Sequence, residues 1–414
     1  MRLTIETPRI AAALLAVLLA HAVQAQDVLA TGSKKPMPAE WIDKATGHRV
    51  VRLSGPTGPI SNWYFHNNPF IEHRAGTNDG DRMVFDNEVG GVRQVFTIDL
   101  ATRKTEQLTT DPTPKRLLPM IARATREVLY QSGDTIYAIQ ADTRKVRKLY
   151  TFPADRRGGV ATVNADATLL AGSFAAPEQA EIARKYPKKS DYFDRIYDAH
   201  LKNSLFTIDL RTGVLKVIHS EATWLGHVQF SPTDPDILMF CHEGPWHKVD
   251  RIWRYDVKDG SVTLMHKRSM PMEIAGHEFF APDGESIWFD LQKPRGQAFY
   301  LAGADVRTGQ EVGIYRMTAN EWSIHYAMAP DKTLFAGDGG DPTQVAHAPD
   351  GMWIQAFHPD GQWFRPERLV DMKMHDYRAL EPNVHFSPDG KWVIFGATFE
   401  GRKETYMVEV AKRP

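Results

Sequence analysis

Short runs of apolar, β-branched and aromatic residues alternate along this chain with turns built from Pro, Asp and Gly. The phrase recurs at Met83-Val84-Phe85 with Val95 to Asp99, at Glu127 to Tyr130 with Thr135 to Ala138, and at Leu169-Leu170 with Leu205 to Asp209. It returns at Ile237 to Phe240 with Ile252 to Tyr255, at Ile287-Trp288-Phe289, at Leu334-Phe335, and at Trp392 to Phe395 with Tyr406-Met407-Val408. Turn signals precede the strands: Asn78-Asp79-Gly80, Asn164-Ala165-Asp166, Ser231 to Asp234, Ala281 to Gly284, Ala329-Pro330-Asp331 and Ser387 to Gly390. The aspartates of the last four turns, Asp234, Asp283, Asp331 and Asp389, are 49, 48 and 58 residues apart. Short strands at such a period, without the 3.6-residue pattern of stacked helices, predict an all-β, seven-bladed β-propeller. One helical insertion is expected around Pro177 to Ala199, lying as a flap on one face. The strand His48 to Leu53 precedes the first turn and is expected to join the last blade, because an open ring would leave two sheet edges unpaired.

The first residues follow a different pattern. Arg2 and Arg9 lead an uncharged apolar run from Ile10 to Ala20, and Val23-Gln24-Ala25 supplies a small-residue ending. That predicts a signal peptide over 1–25, followed by a single propeller domain over 26–414 that acts in the periplasm or is secreted. No later stretch approaches the roughly 18 apolar residues a spanning helix needs. Charge narrows the partners: 50 Lys and Arg stand against 51 Asp and Glu, which leaves no electrostatic footprint for nucleic acid or an anionic membrane. An anionic ligand must therefore be gripped by a few local groups. Cys241 is the single cysteine, so no disulfide forms within the chain.

A propeller serves many purposes, and function has to come from its site. The chain has no Gly-x-Ser-x-Gly elbow, no zinc-protease histidine pair and no phosphate-binding glycine loop. Histidines recur instead. His227, His277, His325 and His385 lie seven, six, six and four residues ahead of their turn aspartates, and His242 follows a strand of the same repeat. One such histidine is as readily explained by a hydrogen bond to the next blade. Four at matching positions converge on one end of the ring, where imidazoles can bind a metal or move protons. Trp63, Tyr64, Trp246 and Trp322 are candidates to stack on sugar rings or simply to pack between blades, and Asn62, His66, Asn67 and Asn68 to meet sugar hydroxyls.

Taken together, Trp224-Leu225-Gly226-His227, Cys241-His242-Glu243-Gly244-Pro245, Arg251, His277-Glu278-Phe279 with Pro282-Asp283-Gly284, and His325 followed by Gly337-Asp338-Gly339 resemble the oligogalacturonate lyases. Members of that family are seven-bladed propellers that split short pectin fragments by β-elimination with a divalent metal, usually manganese. The resemblance implies His277 as general base, Arg251 as the arginine at the substrate, and His325 as a metal ligand. His227, His242 and Arg378 are further candidates to bind substrate. The family's other ligands form a Gln-x-x-His-x-His pattern, where this chain reads Arg378, Glu381 and Asn383. Two outcomes stay open. His325, Glu381 and Asn383 hold the ion, their oxygens favouring Mn2+ or Ca2+, or the metal is absent and Arg378 neutralises the substrate.

The expected substrate is an acidic, uronate-containing oligosaccharide. Its elimination needs the carboxylate neutralised as the enolate forms, a base of near-neutral pKa, and an acid for the departing oxygen. His242, Tyr326 and water are the candidates for that acid. The competing expectation is a non-catalytic periplasmic propeller, similar to the TolB-type scaffolds, which would have no need to converge Arg251, His277 and His325.

Overall fold

Each recurring phrase folds into one antiparallel, four-stranded blade, as seen in a computed structural model that describes residues 27–74, 80–154 and 158–412. The expected leader and the turn residues Asn78-Asp79 lie outside the described residues. The seven inner strands are Phe70–Ile71, Arg116–Ala122, Gly159–Val163, Trp224–Phe230, Ile274–Phe280, Tyr326–Met328 and His385–Phe386. Blade seven is completed by Arg49–Gly55 from the other end of the chain, which pairs antiparallel with Glu404–Glu409 through Val50 opposite Val408 and Leu53 opposite Thr405. His48 Nδ1 contacts the Glu409 carbonyl at 2.9 Å beside that seam. The ring therefore closes as the pattern of residues 48–53 predicts, and the edges that closure covers would otherwise template aggregation.

Side chains that alternate along the middle strands interlock between neighbouring blades. Val84 and Val95 of blade one meet Val128 and Ile139 of blade two, and Phe85 and Phe96 meet Ile394 and Met407 of blade seven. The turns repeat as well: Asp283, Asp331 and Asp389 accept the backbone N–H two residues on at 3.0, 3.0 and 3.1 Å. Side-chain closure of this kind is why Asp marks each turn.

The inner strands run in one direction, so residues preceding them gather at one end of the axis and the turns following them at the other. Pro232, Pro282, Pro330 and Pro388 line a cavity of about 510 Å³ at the turn end, whose floor is Phe65, His66 and His385. Tyr64-Phe65-His66 thus separates this cavity from the histidine end.

The insertion predicted as one helix is two, Pro177–Lys185 and Lys189–Asp198, between the second and third strands of blade three. Phe193 packs edge-on to Trp224, with ring centroids 5.4 Å apart. Tyr197 presses on Gly244, where a Cβ would come within 2.6 Å of the ring and φ is +148°. Only glycine suits that position, and the flap is thereby seated against the loop that carries Trp246. No helix among the described residues is long and apolar enough to cross a membrane.

Candidate active site

Two blades present histidine by the same backbone device. The inner strand of blade four shifts register between Gly226 and Gln229, that of blade five between Gly276 and Phe279, and His227 and His277 sit in those bulges with φ of +47° and +50°. A bulge re-aims one side chain and bends its strand, and a left-handed histidine is a strained placement of the kind found at functional sites. Gly276 matters beside it, because a Cβ there would lie 2.6 Å from the Trp246 ring. Trp246 in turn stands edge-on to His277 at 5.0 Å.

Arg251 enters the same blade-four corner from its third strand. The guanidinium is 2 % exposed and lies over Trp246 at 4.9 Å. Its Nε donates to Glu278 at 3.0 Å, one terminal nitrogen to Glu243 at 2.9 Å, and the other to Glu243 at 3.3 Å and Glu278 at 3.4 Å. His227 Nε2 lies 3.0 Å from Glu243, and Nδ1 lies 3.7 Å from Glu278. Burial pushes the Glu243 carboxyl up, but Arg251 and His227 outweigh it and hold the group well below the usual range. Arg251 was expected to bind the substrate, and its guanidinium presents a fork of donors. Two protein carboxylates occupy that fork, and among the described residues a single N–H of its five is left over.

Blades six and seven form a second corner. His325 is fully buried; its Nδ1 and backbone N–H both meet Asp338, each at 2.8 Å. Asp338 also accepts the Asn383 N–H at 3.1 Å, and Asn383 sits left-handed at φ +55°. With Nδ1 donating to a carboxylate, Nε2 presents its lone pair outward, the arrangement found behind metal-bound histidines. Nε2 is buried without a hydrogen-bond partner, and the half-exposed Glu381 carboxylate approaches it at 3.7 Å. Asn383 Oδ1 accepts the Phe65 N–H at 3.1 Å, and its amide donates to the Glu381 carbonyl at 2.8 Å.

The two corners meet over His277. Its ring centroid is 4.9 Å from that of His325, and Phe65 stacks on His325 at 4.6 Å. Burial first, then the neighbouring His325, Arg251 and His227, push His277 well below the ordinary histidine range, so its ring is neutral at neutral pH. Buried ring nitrogens without a partner also occur along this axis at His66, His227, His277 and His385.

The structure therefore brings together His227, Arg251, His277, His325, Glu381 and Asn383. It sets apart one expected substrate contact. His242 points to the opposite face of its strand from Cys241 and Glu243, stacks on Trp253 at 4.8 Å and meets Glu221 at 2.9 Å. Arg378 is exposed, and its backbone N–H on Asp376 is its one hydrogen bond among the described residues. Tyr326 is fully buried, receives the Ser323 N–H and donates to Met317, which excludes it as the acid. Trp63 and Trp322 are core residues at 6 % and 4 % exposure, so of their two readings they take the packing one. Sequence reasoning missed Glu278 and Asp338 as partners, although both stand inside the quoted motifs. His227, Cys241 and Glu243 offer atoms within 4.8 Å of one another. Glu243 is already engaged by Arg251 and His227, and burial pushes the Cys241 thiol up.

A seven-bladed propeller with histidines gathered at one end of its axis is the class of protein that fold and site define. The chain belongs to the oligogalacturonate lyase family, whose model matches residues 29–413. It is 26% identical over 389 residues to the oligogalacturonate lyase of Dickeya dadantii, covering 89% of this chain and 95% of that one. The oligogalacturonide lyase of Pectobacterium atrosepticum is 27% identical over 399 residues, covering 92% and 98%. Among solved structures, an oligogalacturonate lyase in complex with manganese shares the fold at a TM-score of 0.72 and 24% identity, over 90% of this chain and 96% of that one. The oligogalacturonate lyase of Vibrio parahaemolyticus superposes with a TM-score of 0.73 at 22% identity over the same shares.

Proposed function

We propose that this protein cleaves short uronate oligosaccharides of the pectin type by β-elimination, acting after export, with His277 as the base. The observation that carries the reading is the pairing of a neutral His277 with the bare nitrogen of His325, 4.9 Å apart between ring centroids. A base and a cation-binding acceptor within one sugar's reach are what proton abstraction beside a carboxylate requires.

The residues of the second corner fit a divalent ion. His325 Nε2 is unpartnered and backed by Asp338, Glu381 stands 3.7 Å from it, and Asn383 is tied to the same Asp338 through its backbone N–H. One imidazole with oxygen donors suits manganese, the ion of one solved relative. When bound, such an ion withdraws the charge of the substrate carboxylate as the enolate grows. The chain's own residues do the rest. Asp338 fixes the His325 tautomer, Trp246 and Phe65 wall the base, and Arg251 positions Glu243 and through it His227. His277 then takes the proton from the carbon next to the carboxylate, and the bond to the glycosidic oxygen on the neighbouring carbon breaks.

The test is ultraviolet absorbance of the unsaturated uronate product on a panel of uronate oligosaccharides. It is run on periplasmic and cytoplasmic fractions and on purified, chelated protein with and without Mn2+ or Ca2+. Product that rises with added metal, and falls by about 10²–10⁴-fold in His277→Ala, is the expected result. Metal-independent product would assign neutralisation to Arg378 and the remaining Arg251 donor instead. No product on any uronate sinks the reading in favour of a binding scaffold.

A further inference from the structure

The segment that crosses the axis, Trp63 to His66, has two sides. Phe65 and His66 floor the turn-end cavity, whereas Tyr64 faces the reaction centre. Its ring lies 4.9 Å from His66, 5.3 Å from His325 and 6.1 Å from His227, centroid to centroid. The charged groups acting on it come from both corners: Glu278, Arg251 and Glu243 on one side, Glu381 on the other. Tyr64 is the phenol set between His227 of the Arg251 corner and His325 of the ion-binding corner.

Its backbone is held firmly. The Tyr64 carbonyl accepts from the Asn67 N–H at 2.9 Å and lies 3.3 Å from His385 Nε2, and the next residue's N–H is tied to Asn383 at 3.1 Å. The hydroxyl, by contrast, has no hydrogen-bond partner among the described residues, and it is not one of the polar atoms sealed from solvent. The tyrosines Tyr255, Tyr326, Tyr377 and Tyr406 each donate to a fixed acceptor. A largely buried phenol ordinarily finds a partner, so an anchored ring with a free hydroxyl is a proton donor awaiting a ligand.

We propose that Tyr64 is the general acid of the elimination, donating its phenolic proton to the departing glycosidic oxygen. The inference rests on the β-elimination reading. In balance, His277 gains the proton from carbon and the C–H pair becomes the new C=C bond. The C–O pair leaves with oxygen, which takes the Tyr64 proton; proton return from His277 through water restores both groups. Departure of an unprotonated sugar alkoxide is what this donor avoids.

Tyr64→Phe keeps the ring and removes the proton, so its effect can be read by varying the leaving group. On an oligouronate, Tyr64→Phe should lower kcat by about 10²-fold or more with KM little changed, the range expected of general acids. On a uronate bearing a β-aryloxy or β-fluoro leaving group, which needs no proton, it should return to within about tenfold of wild type. His277→Ala should stay inactive on both. Wild-type kcat in Tyr64→Phe on oligouronates, or an equal loss on both substrate types, overturns the assignment. A wild-type protein that eliminates neither substrate sinks the lyase reading itself, an outcome distinct from the failure of Tyr64.

Discussion

The Arg251 corner and the His325 corner are built from the same kinds of groups and end in opposite states. In the first, two buried carboxylates, a guanidinium and an imidazole answer one another almost completely, and the four hydrogen bonds of Arg251 run from 2.9 to 3.4 Å. In the second, Asp338 holds one side of His325 while the other nitrogen is buried with no partner and the nearest carboxylate is half exposed. Completed charge networks rigidify, whereas an orphaned acceptor costs stability unless a ligand fills it. The closed corner therefore frames His227 and Trp246 beside His277, and the open one is where the proposed reaction would take its ligand.

The sharpest way to break that contrast is to open the closed corner. Arg251→Ala strands Glu243 and Glu278 without a countercharge and should cost about 3–5 kcal/mol of stability, read from urea unfolding. A loss under about 1 kcal/mol would show that the corner is not the frame. The opposite corner should respond in ligand affinity. Asp338→Asn removes the carboxylate behind His325 and should weaken divalent-ion binding, followed by calorimetry, about 10–100-fold. Unchanged affinity would move the ion elsewhere.

The smallest effect is a pH dependence shared by the buried histidines around both corners. Burial first lowers His375 and His385 to about 4, against backbone hydrogen bonds that raise them. Unfolded, each titrates near 6.5, so between pH 6.5 and 4 the unfolded chain binds protons that the native one does not, and stability is lost as pH falls through that window. At pH 5.5 this amounts to about 1.4 kcal/mol per histidine. Replacing His375 by Gln should flatten the acid limb of a stability-versus-pH curve by that amount, and an unaltered slope would contradict the assignment.

Much of the fold was legible because a strand repeat writes itself locally. Pro-Asp-Gly turns and period-two apolar runs depend on neighbours a few residues away, so Asp283, Asp389 and the closing strand near Val50 could be placed in advance. The bulged histidines were half legible: the even spacing of His227 and His277 before their turns gave their equivalence, but not the backbone shift that aims them. His242 shows the limit. One residue along a strand reverses the face a side chain takes, and a motif quoted as a block carries no record of that. Arg251 shows another, since the carboxylates that occupy it lie 8 and 27 residues away.

By itself, then, the sequence determined the propeller, its number of blades, its way of closing and the family, because these rest on repeats and co-linear motifs. What only the tertiary structure decided is which groups are free. Glu243 and Glu278 take up Arg251, Asp338 bares one nitrogen of His325, and a segment crossing the axis sets an unpartnered Tyr64 hydroxyl between them. Availability for chemistry is a property of a side chain's surroundings in space, assembled here from blades four to seven and the segment that crosses the axis, and no local pattern along one chain encodes it.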